Sequence, residues 1–449
     1  MNRKAQVRLL FLIGLFASTQ IHVVGSIGIS ELVIFIVAPF VFLATYNTLR
    51  ADGFLTIVWL SLLACLGCFV GSMLAGTHPA IMMKGMASPY AVFSCVVVFH
   101  SLLRENLNGL KWALLGFALS SVINIFVFQP ETDVVRGGVK MEGAAAVAAV
   151  TSGVLFWSSK VSTFLTLPIR GWYLKTPMWY SLAASFFVGV FFLLYSGGSG
   201  RSAALVKFMS LALLMIGRKS RDKVQMMSRH FFLVLICLVV VIMSFRVMYE
   251  FAAPKGLLGE DAQKKYERIN AEGNKGIVGL LISGRLHTFT GLRACFDRPI
   301  LGFGAKAIDR WGYTEDMLSK YGNLQDYKNY MSAVSEGHIH AIPAHSHIVA
   351  AWLDDGIFGL LMWCYILFLM YRYFTGYADV MIHWYGYFAL AIPSAVWDIF
   401  FSPFGGRVGI SLLITCLLLV IAIKKGRVRI PFEMECEAFG YGNRADRRN

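Results

Sequence analysis

FLTIVWLSLLACLGCFVGSMLAG, residues 54–76, contains no charged side chain. A transmembrane helix needs roughly 20 consecutive apolar residues, so this stretch is long enough to cross a bilayer. The strands of a membrane barrel would instead alternate apolar and polar residues over about ten positions. The stretch therefore predicts a membrane-spanning helix.

Apolar stretches of this length recur along the whole chain. Of its 449 residues 57% are hydrophobic and its mean hydropathy is +0.62, whereas soluble domains are roughly 45–50% apolar. We expect an all-α polytopic membrane protein with about 12 transmembrane helices, in which residues 1–449 form a single membrane domain. The first span is interpreted as a helix and not as a signal peptide, because a second span follows at once. The predicted spans are 9–25, 27–46, 54–76, 80–103, 110–128, 141–159, 178–196, 202–217, 230–249, 345–371, 380–402 and 408–423.

The formal net charge of +15 reflects membrane topology and not a nucleic-acid-binding surface. Lys and Arg concentrate in alternate loops between the spans, while the short loops GSIGIS (25–30) and GTHP (76–79) contain neither residue. Cytoplasmic loops of membrane proteins carry this excess of positive charge. The pattern predicts that both termini are cytoplasmic, and it gives no reason to expect a nucleic-acid partner.

One loop, residues 250–344, is much longer than the others. At about 95 residues it is too long for a simple connector, and by the charge pattern it faces the periplasm. Within it SGRLHTFTGLRACFDRPILGFG predicts a helix from Gly284 to Asp297 that Pro299 closes. Cys295 is the only cysteine in this loop, so no disulfide can form within it.

Several charged or titratable residues lie at the outer ends of the predicted spans, where they are costly and point to function. Each charged residue has a simpler interpretation. Lys84 can extend its ammonium group to the interface, Asp398 can form a salt bridge, and Arg407 can anchor a helix. Arg201 can be a simple loop charge, and Arg285 can lie on a solvated face of the loop. Their shared depth favours a common site. The residues are Lys84, Arg201, Arg285, His345, Asp398 and Arg407.

The segment AHSHIVAAWLDDGIFG, residues 344–359, opens a predicted span with histidines. At 100° per residue His345 shares a helix face with Gly356 and Gly359, and the two glycines would admit a neighbouring helix. The positive end of the helix dipole disfavours imidazolium, so His345 is a candidate base. A metal site is the alternative, because four histidines follow an HxH–x4–HxH spacing. These are His338, His340, His345 and His347.

Three motifs together resemble the O-antigen ligase and O-antigen polymerase superfamily. The first is His345-Ser346, then nine residues, Gly356, two residues and Gly359, with Asp354 at an acidic position where the family more commonly has Glu. The second is an Arg after a Gly/Ser-rich turn, SGGSGRSA, which contains Arg201. The third is an Arg that opens a loop helix ending in Pro–x–x–Gly–x–Gly, as Arg285 and RPILGFG do here.

The resemblance is closest to the ligases and implies transfer of a glycan from undecaprenyl diphosphate to lipid A–core, at the periplasmic face of the bacterial inner membrane. His345 would be the catalytic base. Arg201, Arg285 and Lys84 would bind the diphosphate without a metal or cofactor, and attack would invert the anomeric centre. Asp398, Ser346, Gly356 and Gly359 would support the site. Membrane lipid would surround it.

Two other functions are the alternatives. One is a polymerase that uses a second carrier-linked glycan as acceptor, and the other is an anion channel or transporter.

Overall fold

The protein is described by a computed structural model that covers residues 2–17, 20–22, 26–107, 109–126, 286–321, 324–336, 341–378, 385–402 and 407–428, with a few isolated positions between 206 and 267. Over these residues the fold is mostly helical, as predicted, with one short antiparallel hairpin. In chain order the elements are α1 (Arg3–Leu15), β1 (Gln20–His22), β2 (Ser26–Gly28), α2 (Ile29–Asp52), α3 (Leu55–Leu74), α4 (Pro79–Leu103), α5 (Gly109–Phe126), α6 (Leu286–Asp297), α7 (Tyr313–Tyr321), α8 (Leu324–Ser335), α9 (His347–Asp355), α10 (Ile357–Arg372), a π-helical turn (Tyr373–Tyr377), α11 (Tyr385–Phe401) and α12 (Arg407–Lys424).

Five helices in the described residues are long and apolar enough to cross a membrane, which makes the chain a membrane-embedded protein. They are α2, α3, α4, α12 and the continuous segment Ile357–Tyr377. The predicted spans 141–159, 178–196, 202–217 and 230–249 lie outside the described residues, apart from isolated positions in the third. The total of about twelve spans therefore stays a prediction.

Local sequence signals set the ends of these helices. The amide of Gly28 donates to the Glu31 carboxylate at the start of α2, and that helix ends at Gly53, whose φ of 87° is a left-handed conformation favourable to glycine. Helix α4 begins with Pro79, and the ring of His78 accepts a hydrogen bond from the Ala80 amide. These caps satisfy backbone groups that the helix itself leaves unpaired.

The prediction of one continuous helix over residues 9–25 is wrong. Helix α1 ends at Leu15, and Gln20–His22 pairs with Ser26–Gly28 in a hairpin. The polar residues Ser18, Thr19 and Gln20 interrupt the apolar run at this point. Thirteen helical residues rise only about 20 Å, which is less than the roughly 30 Å hydrocarbon core of a bilayer.

Ion pairs and hydrogen bonds join the same ends of neighbouring helices. At one end, called here the basic end, the Asp52 carboxylate lies 2.8 Å from His100 and 2.6 Å from Arg104. At the opposite end, Arg407 lies 4.0 Å from Glu31. Helices α2, α4 and α12 therefore run in the same direction, as the charge pattern predicts for the second, fourth and twelfth spans. Short loops join α3 to α2 and to α4, so α3 runs the opposite way.

We expect the basic end to be cytoplasmic. Reporter fusions at Gly53 and Arg427 should then give cytoplasmic signals, and fusions at Thr77 and Gln325 should give periplasmic signals, because lysines and arginines near a span remain inside. A fusion at Gly426, the residue before Arg427, is the control and should also give a cytoplasmic signal if the result does not depend on the exact fusion point. A cytoplasmic signal from Gln325 would contradict this orientation.

Candidate functional site

The segment that carries the histidine motif is broken in two. Helix α9 ends at Asp355, and α10 begins at Ile357 after Gly356, whose φ of 67° and ψ of −151° are accessible to glycine but strained for other residues. The prediction of one continuous span over 345–371 is therefore wrong. The long apolar run after Gly356 led to the prediction of one span, although Asp354 and Asp355 directly precede the break.

His345 lies before the helix and does not open it. Ser346 is the N-cap of α9, and its side chain accepts a hydrogen bond from the Val349 amide. The buried Ser346 hydroxyl also donates to the Ile399 carbonyl of α11 at 2.9 Å. This bond joins α9 to α11 and leaves the His345 side chain exposed at the end of α9.

The loop motif and the histidine motif, separated by about 50 residues in sequence, contact each other at the break. The amide of Ile357 donates to the Ile300 carbonyl at 2.9 Å, and the amide of Phe303 donates to the Leu353 carbonyl at 2.7 Å. A Cβ on Gly356 would overlap the Ile300 carbonyl oxygen. The Pro–x–x–Gly–x–Gly turn, residues 299–304, is thus held against the α9–α10 junction.

The same turn contacts α3. The Ala305 amide donates to the Ser72 hydroxyl at 2.9 Å, and a Cβ on Gly304 would overlap the Ser72 backbone. Gly359 was expected to pack against a neighbouring helix. Its nearest contact is instead with α9, because a Cβ there would overlap the Ala351 carbonyl oxygen. Gly356 therefore leaves room for the 299–304 turn, and Gly359 leaves room for α9. The prediction was that both glycines would admit one neighbouring helix.

Helix α6 packs beside the residues that precede α9. The Thr288 hydroxyl donates to the His345 carbonyl at 3.4 Å, and the ring centroids of His287 and His345 are 4.9 Å apart. Gly291 allows this approach, because a Cβ there would lie 3.0 Å from the Pro343 carbonyl oxygen. Helix α6 ends at Asp297 as predicted.

Lys84, which begins the second turn of α4, belongs to a group of cations. Its ammonium group lies close to that of Lys306, and Arg407 adds to the local positive charge. The Lys306 amide in turn reaches the Asp354 carboxylate at the C-terminal end of α9. His345 precedes the other end of that helix, about 13 Å away along its axis.

Asp398 lies on α11 next to Ile399 and accepts a hydrogen bond from the Ser402 hydroxyl at 2.9 Å. It is one residue from Ile399, whose carbonyl accepts the hydrogen bond from Ser346. Its supporting role stays a prediction. The predicted diphosphate ligands Arg201 and Arg285 lie outside the described residues, as do His338 and His340.

Sequence reasoning missed three residues at this site. His287 and Lys306 are exposed residues with no local pattern to mark them, and only tertiary contacts give them neighbours. Asp355 is buried and interacts with Cys68 of α3, and it could have been found as the second of two adjacent carboxylates in an apolar segment.

No group of three or more His, Cys, Asp or Glu side chains that could hold a metal occurs among the described residues. Burial raises the pKa of the Cys295 thiol to about 12, so it stays protonated at neutral pH. Burial and the nearby Asp297 carboxylate also raise the pKa of Tyr313 to about 12. These two groups therefore keep their protons near pH 7.

Comparison of the chain with protein-family models finds no match, and comparison with curated proteins finds none either.

The α9–α10 junction should be sensitive to a single added methyl group. We expect Gly356→Ala to lower the free energy of unfolding by about 3 kcal/mol or more, because it combines backbone strain with overlap at Ile300. Thermal unfolding of the purified protein in detergent measures the effect.

Gly76→Ala is the matched control, since Gly76 has a φ of 65° but no neighbouring atom within 4 Å of the position that the added methyl group would take. It isolates the cost of positive φ, about 1 kcal/mol. Equal losses of stability in both variants would contradict the packing of the 299–304 turn against Gly356.

Proposed function

We propose that this protein is a membrane glycosyltransferase, an O-antigen ligase that moves a glycan from undecaprenyl diphosphate onto lipid A–core at the periplasmic face of the bacterial inner membrane. The order and spacing of the His345, Arg201 and Arg285 motifs support the class. The choice of a ligase over a polymerase follows from the His345-Ser346 to Gly359 spacing, which is the closer match.

The observation that carries this proposal is the contact between α6 and the segment before α9. His287 and Thr288, in the first turn of α6, both contact His345. Arg285 directly precedes this turn in the sequence. The proposal assigns the base to His345 and a diphosphate contact to Arg285, and residues just after Arg285 in the sequence contact His345.

The exposure of His345 suits a base that must reach a large acceptor. Its ring is exposed, and the proposal has it at the outer membrane surface, where the diphosphate of a membrane-anchored carrier would also lie. Arg201 and Arg285 would bind the diphosphate oxygens with planar, bidentate guanidinium groups. Lys84, with Lys306 and Arg407 nearby, would add positive charge.

The proposed step is a single displacement. The His345 imidazole takes the proton from the acceptor hydroxyl as the hydroxyl oxygen bonds to the anomeric carbon. The bond between the anomeric carbon and the phosphate oxygen breaks, and its electron pair leaves with undecaprenyl diphosphate. Positive side chains stabilise the charge that grows on this leaving group. Attack from the opposite side inverts the anomeric centre.

Removal of the base should abolish most transfer while leaving carrier binding intact. For His345→Ala we expect a loss of roughly 10²–10⁴ in rate, the usual contribution of a general base, with unchanged affinity for undecaprenyl diphosphate. Transfer is measured with purified protein, carrier-linked glycan and lipid A–core, and binding is measured separately.

His78→Asn is the control, because it removes another exposed histidine of the chain and keeps a residue able to cap α4. Normal transfer by the His345 variant would refute the proposed mechanism. A product extended on carrier, with lipid A–core unmodified, would identify a polymerase instead.

Replacement of each arginine ligand by lysine tests the diphosphate contacts. Arg201→Lys and Arg285→Lys keep the positive charge but lose the planar guanidinium that binds phosphate in a bidentate manner, so each should reduce the rate on the order of 10²-fold. Arg310→Lys, an exposed arginine elsewhere in the same loop as Arg285, should transfer normally. Wild-type rates and carrier affinity in both ligand variants would remove these arginines from the site.

A further inference from the structure

His287 has no role in the reaction as proposed, although it contacts the proposed base. Its ring centroid lies 4.9 Å from that of His345, with the two ring planes inclined by 59°. Both side chains are exposed, so burial of apolar area does not account for their pairing. This contact therefore calls for a chemical explanation.

The backbone on both sides of the pair is fixed. On one side the Thr288 hydroxyl donates to the His345 carbonyl, and on the other Ser346 is bonded to the Ile399 carbonyl. Further along α6, the Cys295 thiol lies 3.7 Å from the Val349 carbonyl oxygen. The two imidazoles are thus brought together by contacts at several points along α6 and are not a chance meeting of mobile side chains.

We infer that His287 is a positioning residue for His345 and shares the proton that His345 takes from the acceptor hydroxyl. This inference rests on the proposed glycosyl transfer. Two adjacent imidazoles hold one proton readily, since one ring can donate to the other, but they resist a second because like charges repel. His287 therefore stabilises the singly protonated pair that forms in the transition state.

The proton balance is simple. The acceptor O–H bond breaks and an N–H bond forms on His345, and the proton is then shared with a nitrogen of His287. The proton leaves to water after the product departs. No oxidant, reductant or further reactant is needed.

Another ionisable group belongs to an element that packs against this segment. It is Asp398 of α11, which precedes the Ile399 that is bonded to Ser346.

Substitution of His287 by phenylalanine separates proton sharing from packing. His287→Phe keeps an aromatic ring beside His345 but has no nitrogen, so we expect kcat to fall about 10-fold or more with an unchanged KM for lipid A–core. His287→Gln restores a hydrogen-bonding group and should recover part of the lost kcat. The full-length protein in detergent is assayed for transfer and for thermal stability.

Arg293→Gln is the control, because this exposed residue lies on α6 further from His345 and should leave kcat unchanged. Wild-type kcat in His287→Phe would overturn the inference while leaving the proposed function intact. A raised KM with normal kcat would also overturn it. Absence of transfer by the wild-type protein would instead overturn the proposed function, and this inference with it.

Discussion

The contact between Gly356 and the carbonyl of Ile300 is the constraint on which the rest of the site depends. At this point the chain leaves a helix inside an apolar protein, and the freed backbone groups need partners because lipid offers none. Residues 299–304 supply them: Ile300 accepts from Ile357, and Phe303 donates to Leu353. An unpaired peptide group here would cost several kcal/mol. Irregular backbone is thus stable because another loop satisfies its hydrogen bonds.

The orientation of His345 follows from this junction between α9 and α10. Since α9 is separated from α10, its direction is set by its own partners: the turn at one end and the bond from Ser346 to Ile399 at the other. Helix α6 leads directly into the turn, and its first residues therefore lie beside His345. The described contacts join His345 to the first turn of α6, which follows Arg285 in the sequence. These segments are held by hydrogen bonds to backbone groups and not by charged side chains.

The apolar runs predicted most of the described helices well, because burial in lipid requires a continuous run that is visible in the sequence. The helices Leu55–Leu74 and Pro79–Leu103 match their predicted spans to within two residues. The break at Gly356 was not predicted from the apolar runs. Asp354 and Asp355 interrupt the run directly before it, but the backbone partners that stabilise the break belong to a loop about 50 residues earlier. His287 and Lys306 were missed for the same reason. Asp398 was singled out because charged groups near span ends are rare, and Ser346 because it belongs to the His345-Ser346 motif. Arg201 and Arg285 remain predictions.

In the proposed function, His345 supports transfer of a carrier-linked glycan to lipid A–core. The most direct test is glycolipid analysis of a strain that lacks this gene and carries either the wild-type gene or the His345→Ala variant. The account predicts that the variant strain accumulates polymer on the carrier while its lipid A–core stays uncapped, as in the strain with no gene. Full capping of lipid A–core by the His345→Ala protein, at a level matching the wild type, would contradict the account.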